Sequence, residues 1–122
     1  MEFKPADLAH LKGMADLQTL SLGATPTTDV SLTQLRCLSN LRSLDLWETP
    51  VGDAGLRHLK GLVALQRLDL TNTRVTDAGL VHLHGLTNLR ELWVKGTKVT
   101  VTGAKALAAA NPELKIIGMK TK

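Results

Sequence analysis

Leu17, Leu41, Leu65 and Leu89 stand 24 residues apart, and Leu114 follows after 25. A fixed period of this size constrains the fold more than anything else in the chain. Units of roughly 20–50 residues that resemble one another stack as solenoids, because one unit cannot bury its apolar side alone. The periodic segments read LQTLSLGAT, LRSLDLWET, LQRLDLTNT, LRELWVKGT and LKIIGMKTK. The first four have the form L-x-x-L-x-L-x-x-T, with Val94 for the third leucine in the fourth; in the last, Ile117 and Met119 take the second and third leucine places and Lys122 the ninth. A second block follows each of the first four: TTDVSLTQLRCLSN, VGDAGLRHLKGLVA, VTDAGLVHLHGLTN and VTVTGAKALAAANPE. An orphan copy of it, PADLAHLKGMAD, begins at Pro5. The chain therefore divides into a half repeat (1–16), full repeats at 17–40, 41–64, 65–88 and 89–113, and a closing strand and tail at 114–122.

Each repeat reads as strand, turn, short helix and return. In L-x-x-L-x-L the fourth and sixth residues alternate as on a strand with one side inward. Val75, Ala78, Leu80, Leu83 and Leu86 recur at helical spacing. Asp29, Asp53 and Asp77 stand where a carboxylate can cap the free N–H groups of its own helix. Gly61 and Gly85 stand where a glycine closes one. The predicted fold is α/β, a solenoid with a parallel sheet on one side and short helices on the other. Its crossovers are right-handed by the general rule for parallel connections.

Composition narrows the function classes. Apolar residues make up 43% of the chain and aromatics 2%, only Phe3, Trp47 and Trp93, so the core is aliphatic. No apolar run is long enough to span a membrane, and Met1–Asp7 lacks the pattern of a signal peptide. With Cys37 as the single cysteine, the expected compartment is reducing, most simply the cytoplasm. Residues 1–61 carry six Lys/Arg against seven Asp/Glu, and residues 62–122 carry nine against four. That imbalance is too small to indicate a nucleic-acid partner, and no membrane partner is expected.

The repeat resembles the leucine-rich-repeat family over nearly the whole chain. The T-x-V-T-D-A-G-L form at Thr73–Leu80, less complete at Thr49–Leu56, is similar to bacterial repeats abundant in planctomycete-like genomes. The family's usual asparagine after the strand is Thr25, Thr49, Thr73 or Thr97 here, whose hydroxyl can bond the turning backbone. The resemblance implies that the strands line a concave, ligand-facing side. The surface positions would then be Gln18, Thr19 and Ser21; Arg42, Ser43, Asp45 and Trp47; Gln66, Arg67, Asp69 and Thr71; Arg90, Glu91, Trp93 and Lys95; and Lys115, Ile116 and Lys120. Arg42, Asp45, Trp47, Arg67, Asp69, Thr71, Arg90, Glu91, Trp93 and Lys95 form the candidate partner-binding set. Exposed Trp among Arg and carboxylates is the composition of an interface hot spot. The partner is expected to be a protein, with Trp47 and Trp93 as anchors whose loss leaves thermal stability nearly unchanged. The competing expectation is self-association through the open N-terminal repeat.

Other constellations carry less. His10, His58 and His82 share a repeat column with His84 close by, but no further donors complete a tetrahedral metal set, so solvent-side histidines are expected. Cys37 has no base in its own repeat and reads as a small buried thiol. Asp45 and Asp69 fall in register on adjacent strands, yet an open sheet lacks the enclosure that carboxylate chemistry needs. Lys95, Lys98, Lys105, Lys115, Lys120 and Lys122 read as a solvated surface. No phosphate-binding loop, dinucleotide fingerprint, zinc-protease or serine-hydrolase motif occurs. No cofactor, no metal and no catalytic residue is expected. Phe3 and Pro5 are the only obvious plug at the front, and GMKTK reads as a natural end.

Overall fold

A computed structural model of the chain describes Leu11 and residues 13–119. Residues 1–10 and Lys12 of the N-terminal half repeat, Phe3, Pro5 and His10 among them, and the tail with Lys120 and Lys122 lie outside the described residues. So does the open N-terminal surface on which self-association was expected.

Five three-residue strands form one parallel sheet in chain order: β1 (Thr19–Ser21), β2 (Ser43–Asp45), β3 (Arg67–Asp69), β4 (Glu91–Trp93) and β5 (Lys115–Ile117). Between β1 and β2 lies a single turn of 3-10 helix, Ser31–Leu35. After β2 comes α1 (Asp53–Leu56), running into a 3-10 turn, Arg57–Leu59. After β3 comes α2 (Asp77–Leu80) with Val81–Leu83, and after β4 the longer α3 (Val101–Ala110). Period, element order and fold class agree with the sequence reading.

The leucine columns form the core. Leu20, Leu44, Leu68 and Leu92 pair in register on adjacent strands, and all are buried. Leu22, Leu46, Leu70 and Val94 form the next layer, and the helical side contributes Leu32, Leu56 and Leu80. Inner repeats are covered on both sides by their neighbours and the end ones on one side, so burial is most complete in the middle of the stack. Within D-A-G-L the inward places are Gly79 and Leu80; Ala78, expected in the core, faces solvent.

The threonine column performs as expected. Thr25, Thr49, Thr73 and Thr97 each donate their hydroxyl to the carbonyl three residues back, at 2.6, 2.7, 2.7 and 2.6 Å. The residue before each of them turns left-handed: Ala24, Glu48, Asn72 and Gly96 have φ of 58°, 53°, 58° and 75°. Gly61 and Gly85, expected to close the helices that way, do not; neither has a positive φ.

The aspartates cap in an unexpected direction. Asp29 Oδ1 accepts from Gly52 N at 2.7 Å, Asp53 Oδ1 from Thr76 N at 2.7 Å, and Asp77 Oδ1 from Thr100 N at 2.8 Å. Each carboxylate thus serves the next repeat and not its own helix. The cap of α2 is Thr76, whose hydroxyl accepts from Ala78 N at 3.2 Å and donates to Asp53 Oδ2 at 2.6 Å. Thr100 donates to Asp77 in the same way, and these bonds hold the Asp77 carboxyl below the usual range. A glycine in the following repeat makes room: a Cβ on Gly55, Gly79 or Gly103 would lie 2.4, 2.4 or 2.1 Å from the preceding repeat's aspartate Oδ1.

The last strand departs from the expected alignment. In earlier repeats two successive N–H groups share one carbonyl: Arg90 and Glu91 both donate to Gln66 O, at 2.8 and 3.1 Å. At the end Lys115 alone donates to Arg90 O, at 2.9 Å. Leu114 still takes the first leucine place, but one residue of the x-x pair is gone, so Ile116 pairs with Leu92 and Ile117 with Trp93. Ile116 therefore packs against the core and not on the outer face of the sheet; Ile117 takes the surface column. A register shift of one residue exchanges the two faces.

Candidate functional site

Strand alternation sorts the candidate residues into columns on the outer face of the sheet. Thr19, Ser43, Arg67, Glu91 and Lys115 form one, and Ser21, Asp45, Asp69, Trp93 and Ile117 the next. At the strands' C-terminal ends, the 24-residue period aligns Gly23, Trp47, Thr71 and Lys95. Gln18, Arg42, Gln66 and Arg90 precede the strands and are exposed.

Both tryptophans are half-buried on this side. Trp47 covers the neighbouring repeat, where a Cβ on Gly23 would lie 2.0 Å from its Cε2. A glycine at 23 is thus what lets the indole lie down on the backbone. Trp93 has Arg67 Cζ 6.0 Å from its ring centroid, and Arg67 Nε lies 3.8 Å from Glu91 Oε1. Trp47 and Trp93 line one groove of about 450 Å³ together with Asp69, Thr71, Lys95 and Ile117. Asp69 Oδ1 accepts from Thr71 N at 2.9 Å, which fixes the floor. Glu48 and Gly118 complete the lining; sequence reasoning named five of these eight residues and missed Glu48, Gly118 and Ile117, the last because its place depends on the lost residue before β5.

Two polar atoms beside the groove have no partner among the described residues: Asp45 Oδ1 and Trp93 Nε1. Asp45 pairs with Asp69 across β2 and β3. Burial pushes its carboxyl pKa up, Asp69 adds to this, and Arg67 opposes it. Because the folded value is raised, ionised Asp45 opposes folding above that value, and the penalty vanishes as pH falls below the unfolded value near 3.8. Asp45→Asn is expected to raise stability near pH 7 by up to about 1 kcal/mol, the scale of relieving a like-charged cross-strand pair. Denaturant curves of both proteins from pH 3 to 7 check this, and the advantage should close at the acid end.

The remaining candidates are dispersed. Arg90 is turned away toward Glu113, at 3.2 Å, and toward the Thr87 carbonyl, at 2.7 Å. Arg42 is exposed at the edge. Cys37, expected to be buried, is exposed, with Sγ 3.9 Å from Gln34 O. Position 37 shares its column with Gly61 and Gly85, which are exposed as well. His58 and His82, expected on the solvent side, are half-buried, each with an Nδ1 that is covered and lacks a partner. No group of three or more His, Cys, Asp or Glu able to hold a metal ion, and no helix long and apolar enough to cross a membrane, occurs among the described residues.

The comparisons extend this picture. The Leucine Rich repeat family model matches residues 64–83 and 85–108. No curated protein matches the sequence significantly. Internalin C2 from Listeria monocytogenes superposes with a TM-score of 0.75 at 29% identity, covering 92% of this chain and 48% of that one. The chain thus spans about half the length of that internalin. An internalin from the same bacterium, inlF, gives 0.58 at 20% identity, covering 93% and 37%. The Chaetomium Mex67:Mtr2 structure gives 0.68 at 17%, covering 96% and 90%, a likeness of fold alone. With its in-register sheet, its stacked leucine columns and these matches, the chain has the fold of a leucine-rich-repeat solenoid.

Proposed function

We propose that this chain is a protein-binding scaffold that engages its partner through the concave face of the sheet, with Trp47 and Trp93 as anchors. The observation that carries this reading is the shared groove: two half-buried indoles from different repeats wall one depression floored by Asp69 and Thr71. Half-buried Trp already held by the scaffold gives up little conformational freedom on binding, and Trp and Arg dominate measured hot spots. Arg67, stacked by Trp93 and paired with Glu91, supplies an oriented guanidinium at the rim. No catalytic step is assigned to the chain.

The test is affinity capture from lysate of the source organism, comparing wild type with the Trp47→Ala/Trp93→Ala double variant. A protein retained by wild type should be lost by the variant, since truncating a hot-spot anchor costs about 2 kcal/mol or more each. Trp47 also covers the backbone at Gly23, so its removal should lower stability by roughly 1 kcal/mol. Loss of retention must therefore be read on protein whose circular dichroism shows it folded. Equal retention by the folded variant would move the site off this face.

A further inference from the structure

On the convex side, away from the sheet, Arg36, Arg57, His58 and Lys60 line one hollow of about 290 Å³. Arg36 follows the Ser31–Leu35 turn of one repeat, and the other three lie in or just after the Arg57–Leu59 turn of the next. Arg36, Arg57 and Lys60 are exposed, and His58 is half-buried between them. Every lining side chain is basic. The ion pairs among the described residues, Arg67–Glu91 and Arg90–Glu113, lie elsewhere. Three positive charges thus face one small space with no carboxylate among them.

His58 registers the crowding. Its pKa is lowered first by burial, then by Arg57 and Arg36, against a smaller opposing pull from Asp29. Asp29 does not line the hollow; its carboxylate accepts from Gly52 N at 2.7 Å, and its single charge stands against three cations. Arg36 and Lys60 share one repeat position, 24 residues apart, and Arg57 joins them. One period later Lys60 gives way to His84 and Arg57 to Val81; one period earlier than Arg57 stands Thr33. Among the described residues, three permanent cations line one hollow at this junction between the first and second full repeats.

We propose that this hollow is a binding site for a phosphoryl group. Like charges gathered without a counter-ion repel one another, so an anion bound among them gains from each. Two guanidiniums offer planar, paired donors suited to oxyanions, and the lysine adds a point charge. A phosphoryl group carries close to two negative charges and three strong acceptor oxygens. It can meet three side chains at once, where a carboxylate has only two oxygens to share. The site lies on the other side of the solenoid from the tryptophan groove, so it stands whether or not the sheet binds a protein.

The test is a titration of the whole chain with inorganic phosphate, followed by NMR of the Arg Nε–Hε and His58 ring signals, with sodium chloride at matched ionic strength as reference. Saturable shifts confined to Arg36, Arg57 and His58 are expected. Arg57→Gln and Lys60→Gln should each weaken the apparent affinity roughly tenfold, the worth of one charge-assisted hydrogen bond, and Lys105→Gln should leave it unchanged. A parallel titration with O-phosphoserine separates the sources: tighter binding than phosphate identifies a phosphorylated side chain, and weaker binding a free phosphate. Shifts equal to those in chloride, or an affinity that survives Arg57→Gln in a variant whose spectrum shows it folded, would overturn the proposal.

Discussion

Leu68→Ala should lower the unfolding free energy by about 3–4 kcal/mol, whereas Ile116→Ala should cost only about 1 kcal/mol. Both residues occupy the same core column, but their surroundings differ. Leu68 is fully buried between Leu44 and Leu92 on flanking strands. A hole there cannot collapse, because each flanking repeat is itself held by the next, so the cavity cost adds to the lost transfer energy. Ile116 lies on β5 at the end of the sheet, half-buried, with a paired strand on one side only. For a domain of this size the first change corresponds to a fall in melting temperature of roughly 10–25 °C. Urea unfolding of the two variants checks the contrast. Equal costs would contradict a stack whose cohesion comes from repeat–repeat interfaces.

That contrast also explains what the sequence revealed. A solenoid repeats one local pattern, so strand, turn and helical block were legible wherever the pattern recurs, and the Leu and Thr columns emerged in the right places. Errors cluster where two repeats must be seen together. Asp53 looks like the cap of its own helix until Thr76 of the next repeat is placed beside it. The left-handed column escaped because Ala24 and Glu48 give no signal for it; Asn72 and Gly96, the residue types that tolerate positive φ, were the available clue. The β5 alignment failed for a different reason. Counting leucines gives a spacing of 25, which is right for Leu114 and wrong by one for everything after it.

The candidate site was legible to a similar degree. Alternation placed Asp45, Asp69 and Trp93 on the outer side, and the structure puts them in a single column. That Trp47 and Trp93 would line one groove required the depth of the sheet face, which spacing alone does not supply. The basic hollow was hidden more thoroughly. Its members are separated by 20 or more residues from Arg36, and they lie in the half of the chain whose net charge is slightly negative. Net charge averages over a face that the fold divides.

Gly79→Ala should cost about 2–3 kcal/mol in the wild-type background and close to nothing in an Asp53→Ala background. Ordinarily alanine is favoured over glycine within a helix by roughly 0.5–1 kcal/mol. Gly79 lies in α2 with no positive φ, so its backbone would accept alanine. The obstacle is the neighbouring repeat: the new Cβ would lie 2.4 Å from Asp53 Oδ1 and 3.1 Å from Asp53 Cγ and Leu56 Cδ1. Asp53 cannot withdraw without releasing Thr76 N and the Thr76 hydroxyl, each bonded within 2.7 Å. The substitution therefore brings either overpacking or lost charge-assisted hydrogen bonds, both on the scale of 1–3 kcal/mol. Asp53→Ala alone already loses those bonds, at about 2 kcal/mol. Once the carboxylate is gone, only the flexible end of Leu56 opposes the methyl group, and the helical preference for alanine offsets it. The double-mutant cycle should thus show a coupling of roughly 2 kcal/mol, well outside the few tenths expected of independent sites. Additive costs would mean that aspartate and glycine recur in D-A-G-L for separate reasons. A large coupling would make them one device, an aspartate from each repeat seated in a notch that the next repeat keeps open.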